Sequence, residues 1–382
     1  MKNFLGRLGR HAQRIVCVPT PSHPLLELES NWSPSRSGRG CTLPIYIDAQ
    51  RLNPRKPVNP VKLGQGFFGR VYAAWDTVTE QPVAVKQLSG RTDDEFVATG
   101  PREFEQEVSS LLACHGHPNV VKLLAAFDAD GDRFIVTELA GPTNLRQLVQ
   151  LRRKEKKPFA EDEVRDAMAQ LLSGVACAHG AAGVLHRDVT PENVVVDQQR
   201  VRNNNNNKKK VAYKYTICGF NASEPTTKKE RDGSAMLASS GPYRAPELFL
   251  GSTDYDDRID TWALGCVMAD LLAGTGKPFF CGGTDEEVFE KMLCVVGGQG
   301  IVEWSGFQKV AAPDTVAKLK EQEGHRACLR EAFPEEVLSP AGFDVLSGLL
   351  QSNPEQRLTA AAALEMPWFR RRGFASCFAA SS

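Results

Sequence analysis

Three glycines at the start of the patterned part of the chain constrain the fold most. Gly64, Gly66 and Gly69 form the pattern G-x-G-x-x-G-x-V with Val71, and β-branched segments flank it. Glycine lets a backbone approach a phosphate group where a Cβ would clash. A dinucleotide-binding fingerprint shares these glycines but must open a helix, whereas strand-like sequence continues here. The pattern therefore predicts a glycine-rich turn between two strands, lying over a phosphate.

A lysine on the following strand-like segment supports this interpretation. Residues 83–86 read V-A-V-K, which places Lys86 on a strand downstream of the glycines. A lysine in that position would reach the α- and β-phosphates of a nucleotide. Short segments at 61–63, 70–75 and 82–88, separated by glycine or polar turns, predict an antiparallel meander.

The chain changes character after residue 140. One helical pattern at 103–114 and two strand-like runs at 120–127 and 133–139 complete the first part. Beyond it, apolar residues recur at helical spacing in the segments 144–152, 161–180, 261–273 and 342–351. The expected fold class is therefore α+β with two lobes. A small antiparallel β-sheet lobe with one main helix is expected over 61–140, and a larger, mainly helical lobe over 141–370.

Three stretches fall outside this pattern. Residues 1–60 are rich in Pro, Ser and Arg without a sustained period, which predicts an extension outside the fold. Residues 1–26 contain no acid and carry basic residues, so an organelle-targeting leader is the alternative. The low-complexity stretch at 202–210 predicts a solvated loop, with a basic import signal as the alternative, and 371–382 form a tail.

Composition excludes several classes of function. The 46 basic residues balance 46 acidic ones, so no net field recruits nucleic acid or a membrane surface. The 10 cysteines include no C-x-x-C pair, which disfavours a disulfide framework or a structural zinc site and favours reduced thiols in cytoplasm or nucleus. The best apolar run, at 262–272, is broken by Asp270, so no membrane-spanning segment is predicted.

The most specific motif is H-R-D-V-T-P-E-N at 186–193. Its Asp188 can accept the proton of a substrate hydroxyl, and its Asn193 can hold a metal ion. With the glycine pattern, V-A-V-K, Y-R-A-P-E at 243–247 and N-P-E-Q-R-L at 353–358, the chain resembles eukaryotic protein kinases from about residue 61 to 370. The Y-R-A-P-E segment is similar to that of the group containing cyclin-dependent kinases, and the chain as a whole resembles a divergent, plant-type member of that group.

The resemblance implies a set of site residues and ATP as the nucleotide. Asp188 would be the catalytic base, Lys86 would pair with Glu107 (or, failing that, Glu103), and Asn193 would hold the metal. Thr137 would guard the back of the nucleotide pocket, with backbone groups of the next residues facing adenine. The residues expected to contact ATP are Gly64, Gly66, Phe68, Gly69, Val71, Ala84, Lys86, Thr137, Glu138 and Ala140. Arg357 would pair with Glu247.

The sequence departs from the family pattern where the metal should bind. Gly219 stands in place of the Mg²⁺-binding Asp of D-F-G and offers no ligand, which argues against ordinary Mg²⁺ binding. Metal charge neutralisation is worth several kcal/mol in such a transition state, so its loss predicts a rate lower by roughly three orders of magnitude. Asn221 replaces the Gly of D-F-G, and Asn tolerates left-handed backbone geometry. Glu224, the nearest following acid, would supply a ligand only if the loop refolds.

Two further departures concern charge. Thr190 stands where Ser/Thr kinases carry a lysine that contacts the transferring phosphate, so an electrostatic stabiliser is missing. Counting back from Tyr243 places Ala235 at the position of the family's regulatory phosphothreonine, so Arg187 would lack its usual phosphate partner there, although Ser234, Ser239 and Ser240 are nearby.

Two functions therefore stay open. The first is a protein Ser/Thr kinase of weakened activity, and the alternative is a pseudokinase that binds nucleotide or a protein partner without catalysis. Another ATP-dependent transferase on the same fold is a third class. A cyclin partner is a weak expectation, because only Pro101, Arg102 and Glu103 echo the helix that cyclins grip.

Overall fold

The computed structural model describes residues 61–66, 69–76, 81–89, 101–129, 132–202, 209–227, 241–312 and 327–370. The predicted extension and tail, Phe68 and residues 203–208 of the predicted insert lie outside these ranges. The chain divides into two compact units between Pro142 and Thr143, two residues after the predicted boundary.

The first unit is a five-stranded antiparallel sheet with one long helix among its described residues. The strands follow the order β1-β2-β3-β5-β4. They are β1 (Val61–Gly66), β2 (Gly69–Asp76), β3 (Gln81–Ser89), β4 (Leu123–Ala129) and β5 (Asp132–Glu138), and the helix is α1 (Pro101–Ala113). Alternate residues of the strands point to one face, so Ala73, Val83, Val85, Phe134 and Val136 are buried together. The predicted meander is present.

The second unit is mainly helical, with two small antiparallel sheets. Its helices are α2 (Leu145–Lys154), α3 (Glu161–His179), α4 (Pro246–Phe249), α5 (Arg258–Ala273), α6 (Asp285–Val296), α7 (Gln299–Glu303), α8 (Phe307–Val310), α9 (Leu329–Ala332), α10 (Pro340–Leu349) and α11 (Ala360–Leu364). The sheets are β6 (Thr143–Asn144), β8 (Val194–Arg202) and β9 (Lys209–Ile217), and β7 (Val184–Leu185) with β10 (Glu224–Pro225). The α+β class is confirmed.

Helix α5 forms the centre of the second unit. Its residues from Ile259 to Leu272 are all buried, as expected for a helix that is apolar on every side. Trp262 stacks on Phe280 with ring centroids 6.2 Å apart. The helix also carries Asp260, 1% exposed, inside the core, where a charge must be paired.

A buried ion pair ties α4 to the segment before α11. Arg357 Nη1 and Nη2 donate to Glu247 Oε1 and Oε2 at 2.7 and 2.8 Å, and the side chains are 0% and 1% exposed. The guanidinium also lies over the Trp262 ring, 5.0 Å from its centroid. The predicted pairing of Arg357 with Glu247 is confirmed.

None of the helices in the described part of the chain is long and apolar enough to cross a bilayer. The same residues contain no cluster of three or more His, Cys, Asp or Glu side chains that could hold a metal ion.

Neutralising Glu247 should weaken the fold strongly. Glu247→Gln leaves the Arg357 guanidinium buried without a full counter-charge, and breaking one partner of a buried pair costs about 3–5 kcal/mol. The matched change Glu365→Gln removes the exposed partner of Arg370 and should cost less than about 1 kcal/mol. Urea unfolding measures both, and equal losses for the two variants would contradict this account.

Candidate functional site

The glycine turn of the first unit joins β1 to β2, where Gly66 pairs with Gly69. Gly69 has φ +142°, and a Cβ there would lie 2.2 Å from the carbonyl oxygen of Gln87 on β3. The strand neighbour therefore requires glycine at position 69, a reason that differs from the predicted clearance over a phosphate. At Gly64 a Cβ would meet no atom within 4 Å, so nothing in the described chain crowds that position.

Lys86 and Glu107 meet inside the first unit. Strand β3 places Lys86 opposite Val71 on β2 and Ile135 on β5. Its Nζ donates to Glu107 Oε2 at 2.6 Å, with side-chain exposures of 15% and 5%. Glu107, and not the fallback Glu103, makes this contact from helix α1. A charge-assisted bond this short holds the ammonium in one place.

The residues predicted to surround adenine lie at the end of β5 and on β3. Thr137 pairs with Ala84 across the sheet. Its hydroxyl donates to the carbonyl of Glu138 at 3.2 Å, and the Glu138 N–H donates to the Lys122 carbonyl at 3.0 Å. The Glu138 N–H is thus already bonded to Lys122, whereas the Glu138 carbonyl oxygen has a second lone pair that can accept a hydrogen bond from a ligand. Ala140 is half-buried.

Removing the Lys86 ammonium should weaken nucleotide binding. Lys86→Met deletes the predicted phosphate contact, and a hydrogen bond to a charged group is worth about 1.5–3 kcal/mol, or roughly 10-fold to 100-fold in affinity. Titration with a fluorescent ATP analogue measures this. Lys122→Met, at an exposed position of the same unit, is the control, and unchanged affinity in Lys86→Met would exclude the phosphate role.

In the second unit, one buried carboxylate shapes the loop that carries Asp188. Asp260 on α5 accepts hydrogen bonds from the backbone N–H groups of His186 and Arg187, each at 2.8 Å. His179 Nε2 contacts the same carboxylate at 2.8 Å. Arg187 is left-handed, with φ +66°, and these bonds hold the turn in that conformation.

The environment of Asp260 keeps it ionised. Burial by itself raises the pKa of this carboxyl, but the hydrogen bond from His179 and the charges and backbone N–H groups around it outweigh burial, so its pKa lies below the usual value. The ionised Asp260 carboxylate can therefore accept hydrogen bonds from several donors at once.

Two contacts orient His186. The backbone N–H of Asp188 donates to His186 Nδ1 at 3.2 Å, so Nδ1 is the acceptor nitrogen. His186 Nε2 then carries the hydrogen and donates to the Cys218 carbonyl at 3.0 Å. Phe220 packs on the imidazole with ring centroids 4.5 Å apart. The imidazole thus joins the loop 186–190 to the segment around Gly219.

Asp188 and Asn193 are held together at the centre of this unit's site. Asn193 Nδ2 donates to the Asp188 backbone carbonyl and to Asp188 Oδ2, both at 2.8 Å. The short 3-10 helix Pro191–Asn193 sets the spacing between the two side chains. The carboxylate of Asp188 is half-buried and accepts this bond on one oxygen.

Gly219 is left-handed and lies against Asn193. Its φ and ψ are 82° and 43°, and a Cβ there would lie 2.6 Å from Asn193 Oδ1. Asn tolerates left-handed geometry, which would permit Asn221 to replace the Gly of the family motif. The structure makes no use of this tolerance, because Asn221 lies in the 3-10 helix Phe220–Ala222 and is absent from the described non-glycine residues with positive φ.

Three further positions were singled out because the sequence departs there from the kinase pattern or offers a substitute acid. Thr190 is 4% exposed and lies at the N-terminus of the 3-10 helix. Glu224 pairs with Arg187 and accepts a hydrogen bond from Tyr255 at 2.7 Å, so it is engaged away from Gly219. Ala235 lies outside the described residues.

Loss of the Asp260 charge should loosen this loop. In Asp260→Asn the NH₂ group of the new amide would face the N–H donors that the carboxylate now binds. The substitution should lower the free energy of unfolding by at least about 1.5–3 kcal/mol. Because the folded-state pKa is lowered, the carboxylate's contribution is complete above about pH 4 and is lost as the pH falls further. Between pH 3 and 7, the free energy of unfolding should fall more steeply with decreasing pH for wild type than for Asp260→Asn. Asp162→Asn, at a side chain 76% exposed, is the control, and parallel pH profiles would contradict the assignment.

Sequence reasoning missed two residues of this site. Asp260 was given no role in the sequence analysis, although an acid within an apolar helix is a signal for a buried, paired carboxylate. The pairing of Glu224 with Arg187 had no signal in the sequence, because the two are far apart along the chain.

Comparison with known proteins gives a consistent result. Residues 58–369 match the model of the protein kinase domain. The "Putative cyclin-dependent kinase F-2" of Oryza sativa subsp. japonica is 39% identical over 314 residues, covering 81% of this chain and 88% of that protein. "Cyclin-dependent kinase G1" of Arabidopsis thaliana is 33% identical, over 85% of this chain and 50% of its own length. "Cyclin-dependent kinase B2-2" of the same plant is 28% identical, over 81% of this chain and 91% of its own length.

Proposed function

Because the chain belongs to the protein kinase family, we propose that it binds ATP and transfers the γ-phosphate to Ser or Thr hydroxyls of a protein at a low rate. Proteins of this family use ATP and Mg²⁺ in general. The observation that carries the proposal is the Asp188–Asn193 pair at 2.8 Å, which orients a carboxylate able to act as a base.

The retained residues have separate roles in this proposal. Asp188 accepts the proton of the substrate hydroxyl as the hydroxyl oxygen attacks the γ-phosphorus, and the bond from the γ-phosphorus to the β–γ bridging oxygen breaks to release ADP. Lys86, held by Glu107 at 2.6 Å, contacts the α- and β-phosphates. His186 and Asp260 position the loop and contact no reacting atom. Positioning of this kind supplies much of the catalysis in phosphoryl transfer.

We infer a poor fit to the Mg²⁺ site of the family. Mg²⁺ in phosphoryl-transfer sites is held by carboxylates and substrate phosphates. Here Gly219 has no side chain, and Asn193 Oδ1 lies 2.6 Å from the place of its missing Cβ. The Asn193 amide nitrogen points at Asp188. Of the two positions at which the family binds Mg²⁺, 193 and 219, Asn193 alone offers a side-chain ligand.

The missing charges set the expected rate. Loss of several kcal/mol of metal stabilisation corresponds to roughly three orders of magnitude in kcat. Thr190 supplies no cation in place of the family's lysine, which lowers the rate further. The proposal is therefore slow transfer by the retained base.

A pseudokinase is the second candidate, and one observation favours it. Asn193 Oδ1 occupies the space into which an Asp at position 219 would extend, so the described site is packed around glycine. In that case Lys86 and the glycine turn would serve nucleotide binding, and the chain would act through a protein partner.

The partner and substrate are further proposals. Similar proteins are named cyclin-dependent kinases, which supports a cyclin as one candidate partner for this chain. The helix α1 sequence beginning at Pro101 carries only a short echo of the cyclin-gripping motif, so we rank this below ATP and protein substrate. Nucleic acid and membrane have no place in the proposal, and cytoplasm or nucleus is the proposed location.

Restoring an acid at position 219 tests the proposal. Gly219→Asp should raise phosphotransfer by at least about tenfold if the metal ligand is the main deficit and the Asn193 side chain shifts to admit the new carboxylate. Gly219→Asn is the matched control, because it has the same size and the same tolerance of left-handed φ but lacks the charge. The measurement is transfer of radiolabelled γ-phosphate to a generic protein substrate in Mg²⁺ and in Mn²⁺.

Asp188→Asn is the second control, and it should abolish the activity of wild type and of Gly219→Asp. Activity that survives Asp188→Asn would overturn the assignment of the base. No activity in wild type or in Gly219→Asp, together with intact ATP binding, would favour the pseudokinase.

A further inference from the structure

Arg187 and Glu224 form a buried ion pair beside Asp188. The Arg187 Nη1 and Glu224 Oε1 atoms are in contact, and the two side chains are 3% and 4% exposed. Arg187 directly precedes Asp188 in the chain. The charge of a buried guanidinium must be matched by an anion, since an uncompensated buried charge is strongly destabilising.

A tyrosine completes the pair. The Tyr255 hydroxyl, in the segment before α5, donates to Glu224 Oε2 at 2.7 Å and is 3.5 Å from Arg187 Nη1. Tyr255 is 3% exposed. Each oxygen of the Glu224 carboxylate therefore has a partner, one cationic and one neutral, inside the second unit.

Backbone pairing brings Glu224 to this place. Strand β10 is antiparallel to β7, with Glu224 opposite Leu185 and Pro225 opposite Val184. On one side of it the Ser223 hydroxyl donates to the Phe220 carbonyl at 2.6 Å, and on the other the Thr226 N–H donates to the Gly183 carbonyl at 2.8 Å. The carboxylate that contacts Arg187 is thus supplied by the segment that follows Gly219.

The chemistry of this pair is that of an arginine with a bound oxyanion. Guanidinium groups bind carboxylate and phosphate oxygens through the same charge-assisted hydrogen bonds. In protein kinases generally, the activation loop is ordered when phosphorylation creates a new arginine–phosphate pair. Here the arginine already has an anion, provided by the same chain.

We propose that Glu224 is a positioning residue that replaces a phosphate group. It holds Arg187, and with it the adjacent Asp188, without phosphorylation of the chain. Ala235, which the family resemblance places at the position of a phosphothreonine, carries no hydroxyl and agrees with this proposal. The link to catalysis rests on the proposed function, whereas the buried anion site does not.

Removing the carboxylate should create a site for external anions. Glu224→Ala leaves the Arg187 guanidinium and the Tyr255 hydroxyl around a space of carboxylate size. We expect a lower melting temperature, and stabilisation by inorganic phosphate or acetate with an apparent dissociation constant at least about tenfold below that of wild type. Thermal unfolding of the full chain, titrated with each anion at constant ionic strength, measures both effects.

Control variants separate this role from general destabilisation. Glu224→Asp keeps the charge and should need no added anion, whereas Glu224→Gln keeps the shape without the charge and should respond to anions. Glu224→Gln also serves if Glu224→Ala does not fold. Glu365→Ala, at an exposed ion pair, should show no anion response. Equal anion effects on wild type and on the Glu224 variants, or no loss of stability in Glu224→Ala and Glu224→Gln, would overturn the proposal.

Phosphotransfer provides a separate readout. If wild type is active, Glu224→Ala should lose at least about tenfold in rate and regain part of it in acetate. Wild type treated with phosphatase should keep its rate, and a large loss would overturn the phosphate-replacement proposal. If wild type is inactive, the proposed kinase function fails while the anion-dependent unfolding still decides the role of Glu224.

Discussion

The carboxylate of Asp260 is the constraint on which the second unit's site depends. It lies inside the apolar helix α5 and binds the backbone N–H groups of His186 and Arg187. Those bonds fix a left-handed residue directly before Asp188, and the loop in turn positions His186 against the segment around Gly219. The buried charge thus shapes the backbone that carries the candidate base.

Acidic groups are distributed in this site in an unusual way for a kinase. The position that should bind a metal ion is Gly219, whereas Glu224, a few residues further on, brings a carboxylate to Arg187. The metal-binding charge is therefore absent, and the arginine has an internal counter-ion. In the two proposals these features act on different properties: the first would lower the rate of phosphotransfer, and the second would replace an external switch with a permanent ion pair.

Local pattern made much of the fold predictable. Strand alternation and glycine spacing led to the sheet of the first unit, and helical periodicity led to α3 and α10, because burial of one face leaves a repeat in the sequence. The pairs Lys86–Glu107 and Arg357–Glu247 followed from the family resemblance. The small strands β7 and β10 and the Glu224–Arg187 pair did not follow from either, since two-residue strands and long-range ion pairs leave no periodic signal. Asn221 could tolerate left-handed geometry, but Gly219, two residues earlier, adopts it at lower cost.

The most direct test of the site is the metal dependence of ATP binding by the wild-type chain. Isothermal titration with ATP in EDTA and in millimolar Mg²⁺ compares the same nucleotide with and without the metal. With Gly219 in place of a carboxylate, the two dissociation constants should agree within about twofold. Binding at least about tenfold tighter in Mg²⁺ would show that the chain supplies a metal ligand besides Asn193, and would contradict this account.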